Sequence, residues 1–186
     1  MGRDKATLPF RGVRLIDHTV ALARSALAAT GREGAVWVSG SVAGLEDRCI
    51  PDETPGLGPL GGLLSSFRGL GLRHGFPFRV VVIPVDMPGL SVGTVSCLLD
   101  AVSAVDDRGG AAYRFGPSEL PASLRVGESE LKILEQCLTS IDASDRSVRK
   151  FLKRLGAQIL SSAIQNENEF QNANTPGDFA VWEAGR

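Results

Sequence analysis

Seven residues constrain the fold of this chain more than any others: Arg79 to Val85, R-V-V-V-I-P-V, is almost continuously apolar and β-branched. A strand with one wet face alternates polar and apolar residues. An unbroken run instead reads as a strand covered on both faces, as in a parallel sheet flanked by helices. The neighbouring segments agree. Leu15, Ile16, Val20, Ala23 and Leu27 recur at helical spacing, and Gly31 follows as a stop. Ala35 to Val38 reads as a short buried strand between Gly34 and Gly40. Asp52 to Gly62, D-E-T-P-G-L-G-P-L-G-G, is too rich in Gly and Pro for a regular element and predicts a loop before a helix over Leu63 to Leu72. Ser91 can cap a helix whose Val92, Val95, Leu98, Leu99, Val102 and Val105 form one stripe.

Beyond it, the pattern predicts a strand over Gly110 to Phe115, helices over Ser129 to Ile141 and Val148 to Leu155, and a strand over Gln158 to Ala163. Phe170 to Asn174 reads as extended, and Thr175-Pro176 supplies an N-cap and a first-turn proline for a closing helix through Trp182. Alternating strands and helices predict a three-layer α/β domain around a mostly parallel sheet. With 186 residues, 43% of them hydrophobic, and no linker or repeat, residues 1–186 read as a single domain with a full core.

Twenty basic against 21 acidic residues, with no basic run, leave no electrostatic footprint for nucleic acid or an anionic membrane, which points to a small ligand. Apolar runs are short and the amino terminus is charged, so neither a membrane span nor a signal peptide is predicted and the chain reads as cytoplasmic. Cys49, Cys97 and Cys137 are far apart and form no C-x-x-C pair; they read as buried small hydrophobes. Two histidines, His18 and His74, are too few and too far apart for a metal site or a Ser/His triad.

In open parallel sheets ligands bind beyond the carboxyl ends of strands. Asp86, in V-I-P-V-D-M-P, follows such a strand and can hold Mg²⁺, or can simply cap a turn before Pro88. Gly56 to Gly62 can present backbone N–H groups to an anion or a base edge, although flexible loops share that composition. Lys5 can neutralise a polyphosphate or lie solvated. Asn172 and Asn174 have strand spacing, which puts both on one face, for a ligand or for an Asx-turn.

Four stretches in this order resemble the molybdenum cofactor guanylyltransferases, nucleotidyltransferases with a Rossmann-like fold, and the likeness runs nearly end to end. M-G-R-D-K-A-T-L-P-F-R-G is similar to the family's R-M-G-x-D-K-x-x-L-x-x-x-G, and P-G-L-G-P-L-G-G to its G-P-L-x-G loop. V-I-P-V-D-M-P is similar to its P-x-D-x-P, and N-A-N-T-P-G-D to its N-x-N-T-P-E-D. The resemblance implies Mg²⁺-assisted transfer of GMP from GTP to molybdopterin, with pyrophosphate leaving. It implies that Lys5 contacts phosphates, Asp86 binds Mg²⁺, and Asp52 helps recognise guanine. Gly58, Pro59, Leu60, Gly61 and Gly62 would line the nucleotide pocket, and Asn172 and Asn174 would lie on the molybdopterin side.

The resemblance also implies a preceding strand and an L-A-G-G-x-S-x-R loop, since Met1 aligns with the Met inside R-M-G. Either the natural protein begins upstream or the chain is an N-terminally truncated homologue, for which a weakened GTP site and a marginal domain are expected. Ser39 stands where the family often has Asn, and Gly109 to Val126 fits the substrate-facing segment loosely. Three alternatives stay open: the sister cytidylyltransferase; a truncated, catalytically impaired homologue acting as a binding subunit beside other cofactor-assembly proteins; and sugar-nucleotide synthesis.

Overall fold

The computed structural model describes residues 5–104, 112–116, 118–160, 167–173, 177–179 and 182. A 3-10 turn, Lys5–Thr7, leads into a hairpin of β1 (Pro9–Phe10) and β2 (Val13–Arg14). Its two-residue loop is Arg11-Gly12, with φ of 52° and 80°, the paired positive values that match the twist of a tight hairpin. The hairpin feeds α1 (Leu15–Thr30), which ends on Gly31 in the left-handed conformation, as its position after the last apolar residue predicts.

β3 (Val38–Ser39) and β4 (Cys49–Ile50) pair in parallel. Next comes α2 (Gly58–His74), which corrects the expected loop: Gly58 to Gly62 is already helical. Pro59 sits in the first turn, where its absent N–H leaves no bond unmade and its fixed φ favours the helix. Only Asp52 to Leu57 stays irregular.

β5 (Phe78–Val82), α3 (Val92–Ala104), β6 (Ala112–Phe115), β7 (Ala122–Val126), α4 (Glu128–Leu138), α5 (Val148–Arg154) and β8 (Gln158–Leu160) complete the domain. Ser91 caps α3, its Oγ accepting the Thr94 N–H at 3.1 Å. Val105, Gly109 to Ala111, Pro117, Ser161 to Ala163 and Asn174 to Pro176, which carry parts of the sequence reading, lie outside the described residues. Of the closing helix, Gly177 to Phe179 and Trp182 are described and helical. A 3-10 turn, Glu167–Phe170, precedes the segment expected to be extended, of which Gln171 to Ala173 are described and form no regular element. That turn aims Glu169 at α3, where it accepts bonds from the Ser91 N–H and the Thr94 hydroxyl.

β5, β7, β6 and β8 form one sheet in that order. β7 runs antiparallel to β5 and β6, and β8 runs parallel to β6, so the sheet is mixed. Side chains alternate across it. Val80, Val82, Ala112, Ala122, Leu124 and Val126 pack with α2, α4 and α5; Val81, Ile83, Phe115 and Leu160 pack with α1 and α3 through Leu22 and Leu98. Helices thus cover both faces, giving three layers.

The apolar run Arg79 to Val85 forms a strand packed on both faces, as expected, but one that is shorter and less enclosed than the run suggests. The strand covers Phe78–Val82, and four of its five residues are half-buried rather than enclosed. Both faces are packed, but among the described residues β7 is the strand paired with it, so its other edge lacks a ladder partner. Pro84 carries no N–H and cannot extend the ladder. The most enclosed strand is β7, whose Ala122, Leu124 and Val126 are at most 1% exposed.

His18 on α1 meets the ring of Phe10 edge-on, 4.9 Å between centroids. Burial pushes its pKa down, with Arg11 adding to the effect and a bond to the Pro88 backbone opposing it. The folded state therefore keeps a neutral imidazole at pH values where the unfolded chain, titrating near about 6.5, already binds a proton. Stability should be flat above pH 7 and fall as pH drops below about 6.5. Chemical denaturation of wild type and His18→Gln between pH 7.5 and 5 checks this: the decline should shrink in the variant, and an equal decline in both would refute it.

Candidate active site

β5, β6 and β8 point the same way, so their carboxyl ends share one rim of the sheet. Asp86 lies just beyond that rim, and Lys5 approaches it: Lys5 Nζ is 3.9 Å from Asp86 Oδ2, with the side chains 47% and 29% exposed. A pair that long and that wet adds little stability. Its effect is to hold a cation and a carboxylate side by side where a ligand can reach both.

Each member has a reason to be there. Lys5 sits just ahead of the hairpin, which is fixed by the Leu15 N–H donating to the Leu8 carbonyl at 2.9 Å. Phe10 buries itself with Leu15, Ala173 and Phe179. The backbone of Asp86 is pinned from the other end of the chain, its carbonyl accepting the Ala173 N–H at 2.7 Å. That bond brings the segment bearing Asn172, which is exposed, against the main chain of Asp86. Asn174 lies outside the described residues.

A second grouping forms where α2 begins. A Cβ placed on Gly62 would stand 2.9 Å from Ser39 Oγ and 3.6 Å from Asp52 Oδ1. Glycine therefore lets the first turn of α2 close against the end of β3 and against exposed Asp52. Glu53 N–H donates to Ser65 Oγ at 2.9 Å, tying this loop to the helix. Gly58 has φ of 66°, the left-handed conformation that glycine adopts without strain. The roles within the P-L-G-G run differ. Leu60 is 2% exposed and packs in the core with Phe67, so its side chain faces away from any ligand, and Pro59 has no N–H to give. What the first turn offers is backbone N–H groups at a helix amino terminus.

Sequence reasoning picked out Lys5 and Asp86 but not the Ala173–Asp86 link, because a main-chain bond between distant segments leaves no signature in residue type. Glu169, which holds the same segment against α3, was missed for a related reason: an acidic residue in a polar stretch reads as solvated.

As for a metal, among the described residues no three His, Cys, Asp or Glu side chains cluster into a cage. Asp86 offers one water-accessible carboxylate. This fits Mg²⁺, which is commonly held by one or two carboxylates together with waters and substrate phosphates, and does not fit zinc, which takes three or four protein ligands. Cys49, Cys97 and Cys137 are unpaired, and Cys49 and Cys137 are buried. Among the described residues no helix is long and apolar enough to cross a membrane.

Residues 1–159 match the family described as the MobA-like NTP transferase domain. A molybdenum cofactor guanylyltransferase of Xanthomonas euvesicatoria pv. vesicatoria (strain 85-10) is 35% identical over 180 residues, covering 97% of this chain and 86% of that protein. An ordered set of motifs and a mixed sheet between two helical layers agree with both likenesses, and the chain belongs to the MobA-like NTP transferase family.

Proposed function

We propose that this protein is a cytoplasmic enzyme that transfers GMP from GTP to molybdopterin, giving the guanine dinucleotide form of the cofactor and pyrophosphate. The observation that carries the reading is the juxtaposition of Lys5 with Asp86, beside the segment bearing Asn172, in a chain similar to a guanylyltransferase. Nucleotidyl transfer asks for charge neutralisation and in-line positioning rather than a strong base. Lys5 supplies a positive charge for the triphosphate. Asp86 would hold Mg²⁺, which when bound neutralises charge on the departing pyrophosphate. Asn172 and Asn174 orient the acceptor so that its phosphate oxygen meets the α-phosphate.

Base choice follows from hydrogen-bond chemistry at the other grouping. Guanine presents adjacent N–H donors on its Watson–Crick edge, and a carboxylate accepts only, so Asp52 can take both. Cytosine presents one amino donor beside acceptors, which would face the same carboxylate unfavourably. The backbone N–H groups of Gly58 and Leu60, in the first turn of α2, serve the remaining acceptors.

Calorimetry with GTP and CTP in the presence of Mg²⁺ tests this. GTP should bind more tightly, and Asp52→Asn should cut the preference about 10- to 100-fold, the range for a charge-assisted hydrogen bond worth about 1.5–3 kcal/mol. Tighter binding of CTP by the wild type would overturn the guanine assignment and favour the cytidylyl reaction.

A further inference from the structure

Helix α5 carries four cations, Arg149, Lys150, Lys153 and Arg154, and the fold sorts them into two pairs. Lys150 and Arg154 turn to Asp145, at 2.7 and 2.9 Å. Arg149 and Lys153, one helical turn apart, instead line a hollow of about 230 Å³ together with Arg114, Glu119, Leu152 and Ala157. Arg114 arrives from β6 with its guanidinium anchored on the carbonyls of Phe115 and Ser118, at 3.4 and 3.1 Å.

Glu119 is the carboxylate of this hollow, and Arg149 Nε donates to it at 2.6 Å. Burial pushes the Glu119 carboxyl up, but the Arg149 bond, a bond from its own backbone N–H and the charges of Arg149 and then Arg114 together outweigh that and hold it below its ordinary value. It stays ionised at neutral pH. Three cations against one carboxylate leave positive charge in excess among the lining residues. Like charges at positions 149 and 153 also repel across one helical turn. The hollow is smaller than the roughly 300–1,000 Å³ typical of sites for drug-sized ligands, while planar guanidinium groups match tetrahedral oxyanions well.

We propose that this hollow binds a phosphate-type oxyanion through Arg114, Arg149 and Lys153. It is a different place from the Lys5–Asp86 pair. Arg114 shares a sheet face with Ala112, which packs on the α4–α5 side. The residues after Asp86, Met87 and Leu90, pack on the α3 side with Phe115. The inference does not rest on the guanylyltransferase reading. Either a phosphate monoester on a substrate or a free phosphate or pyrophosphate supplies the right chemistry.

The test is calorimetric titration of inorganic phosphate, in low-salt buffer, into wild type, the surface control Lys132→Ala and the double variant Arg149→Ala with Lys153→Ala. Both residues of the double variant are solvent-exposed, and an unchanged thermal midpoint confirms that it folds. The double variant should bind phosphate at least tenfold more weakly, and Lys132→Ala, which is exposed and outside the hollow, should stay within twofold of wild type. Equal binding by the double variant, an equal loss in Lys132→Ala, or no binding by wild type at millimolar phosphate would overturn the proposal. Glycerol phosphate and pyrophosphate, titrated into the same proteins, separate the sources: whichever loses more affinity in the double variant is the form the hollow takes.

Discussion

Asp86→Ala should slow GMP transfer by about 10³-fold or more, the several kcal/mol expected of a metal-held charge at a phosphoryl centre. The fold should survive. Its side chain is 29% exposed and its ion partner stands at 3.9 Å, so the loss of stability should stay below about 1 kcal/mol. The bond that anchors this stretch uses the Asp86 main chain, which the substitution leaves in place. Single-turnover rates at saturating GTP and acceptor, read beside a thermal melt, separate the two effects. A rate within tenfold of wild type would remove Asp86 from the chemistry, and a collapsed melt would make its role structural. Under the proposed reading Lys5→Ala, by contrast, should act chiefly on GTP affinity, since a point charge on the triphosphate acts in ground and transition states alike.

The largest stability loss is expected for Phe151→Ala. Phe151 is 0% exposed and lies in the cluster shared by α2, α4, α5 and β7, with Leu134 and Leu152 beside it. Removing the ring should cost about 3–5 kcal/mol, part lost transfer energy and part cavity. For a domain of this size that corresponds to a fall in melting temperature of roughly 6–20 °C. Leu72→Ala is the matched control, because Leu72 is 89% exposed and its truncation should stay within about 0.5 kcal/mol. Equal midpoints for the two variants would mean that the α4–α5 layer is not packed against β7 as described.

Long, strongly patterned segments were legible in the amino-acid sequence. α1 and α3 follow their apolar stripes, and Gly31 and Ser91 cap them where the residue types predict. The shortest elements were legible only in part, for a physical reason. β3 and β4 are each two residues long, less than one full alternation, and are held by partners rather than by pattern: the strand expected over Ala35 to Val38 meets β3 at Val38 alone, and β4 was not foreseen. β7 was passed over because Ser123 and Arg125 interrupt its apolar residues, although it is the most enclosed strand. Arg79 to Val85 reads as a strand covered on both faces, and it is; continuous apolar content says nothing about the edges. The extent of the G-P-L-G-G helix was hidden by composition, because glycine and proline are breakers in a helix interior yet proline is favoured in a first turn.

At the candidate site, residue type singled out Lys5, Asp52 and Asp86, and the structure sets Lys5 beside Asp86 and Asp52 against the start of α2; residue type was poor where shape matters. Leu60 fell inside a loop motif but belongs to the core, and Gly62 matters through the space it leaves for Ser39 and Asp52.

The Ala173–Asp86 bond joins positions separated by almost half the chain, and it is made by main-chain atoms. Any residue except proline can donate it, yet Ala173 is wholly enclosed, so that position tolerates drift in chemistry but not in volume. During synthesis from the amino terminus, the stretch bearing Asp86 is made long before its tether. The Lys5 and Asp86 part of the rim can therefore take shape on the ribosome while the segment bearing Asn172 still waits to be made, and the two parts of one candidate site mature at different times.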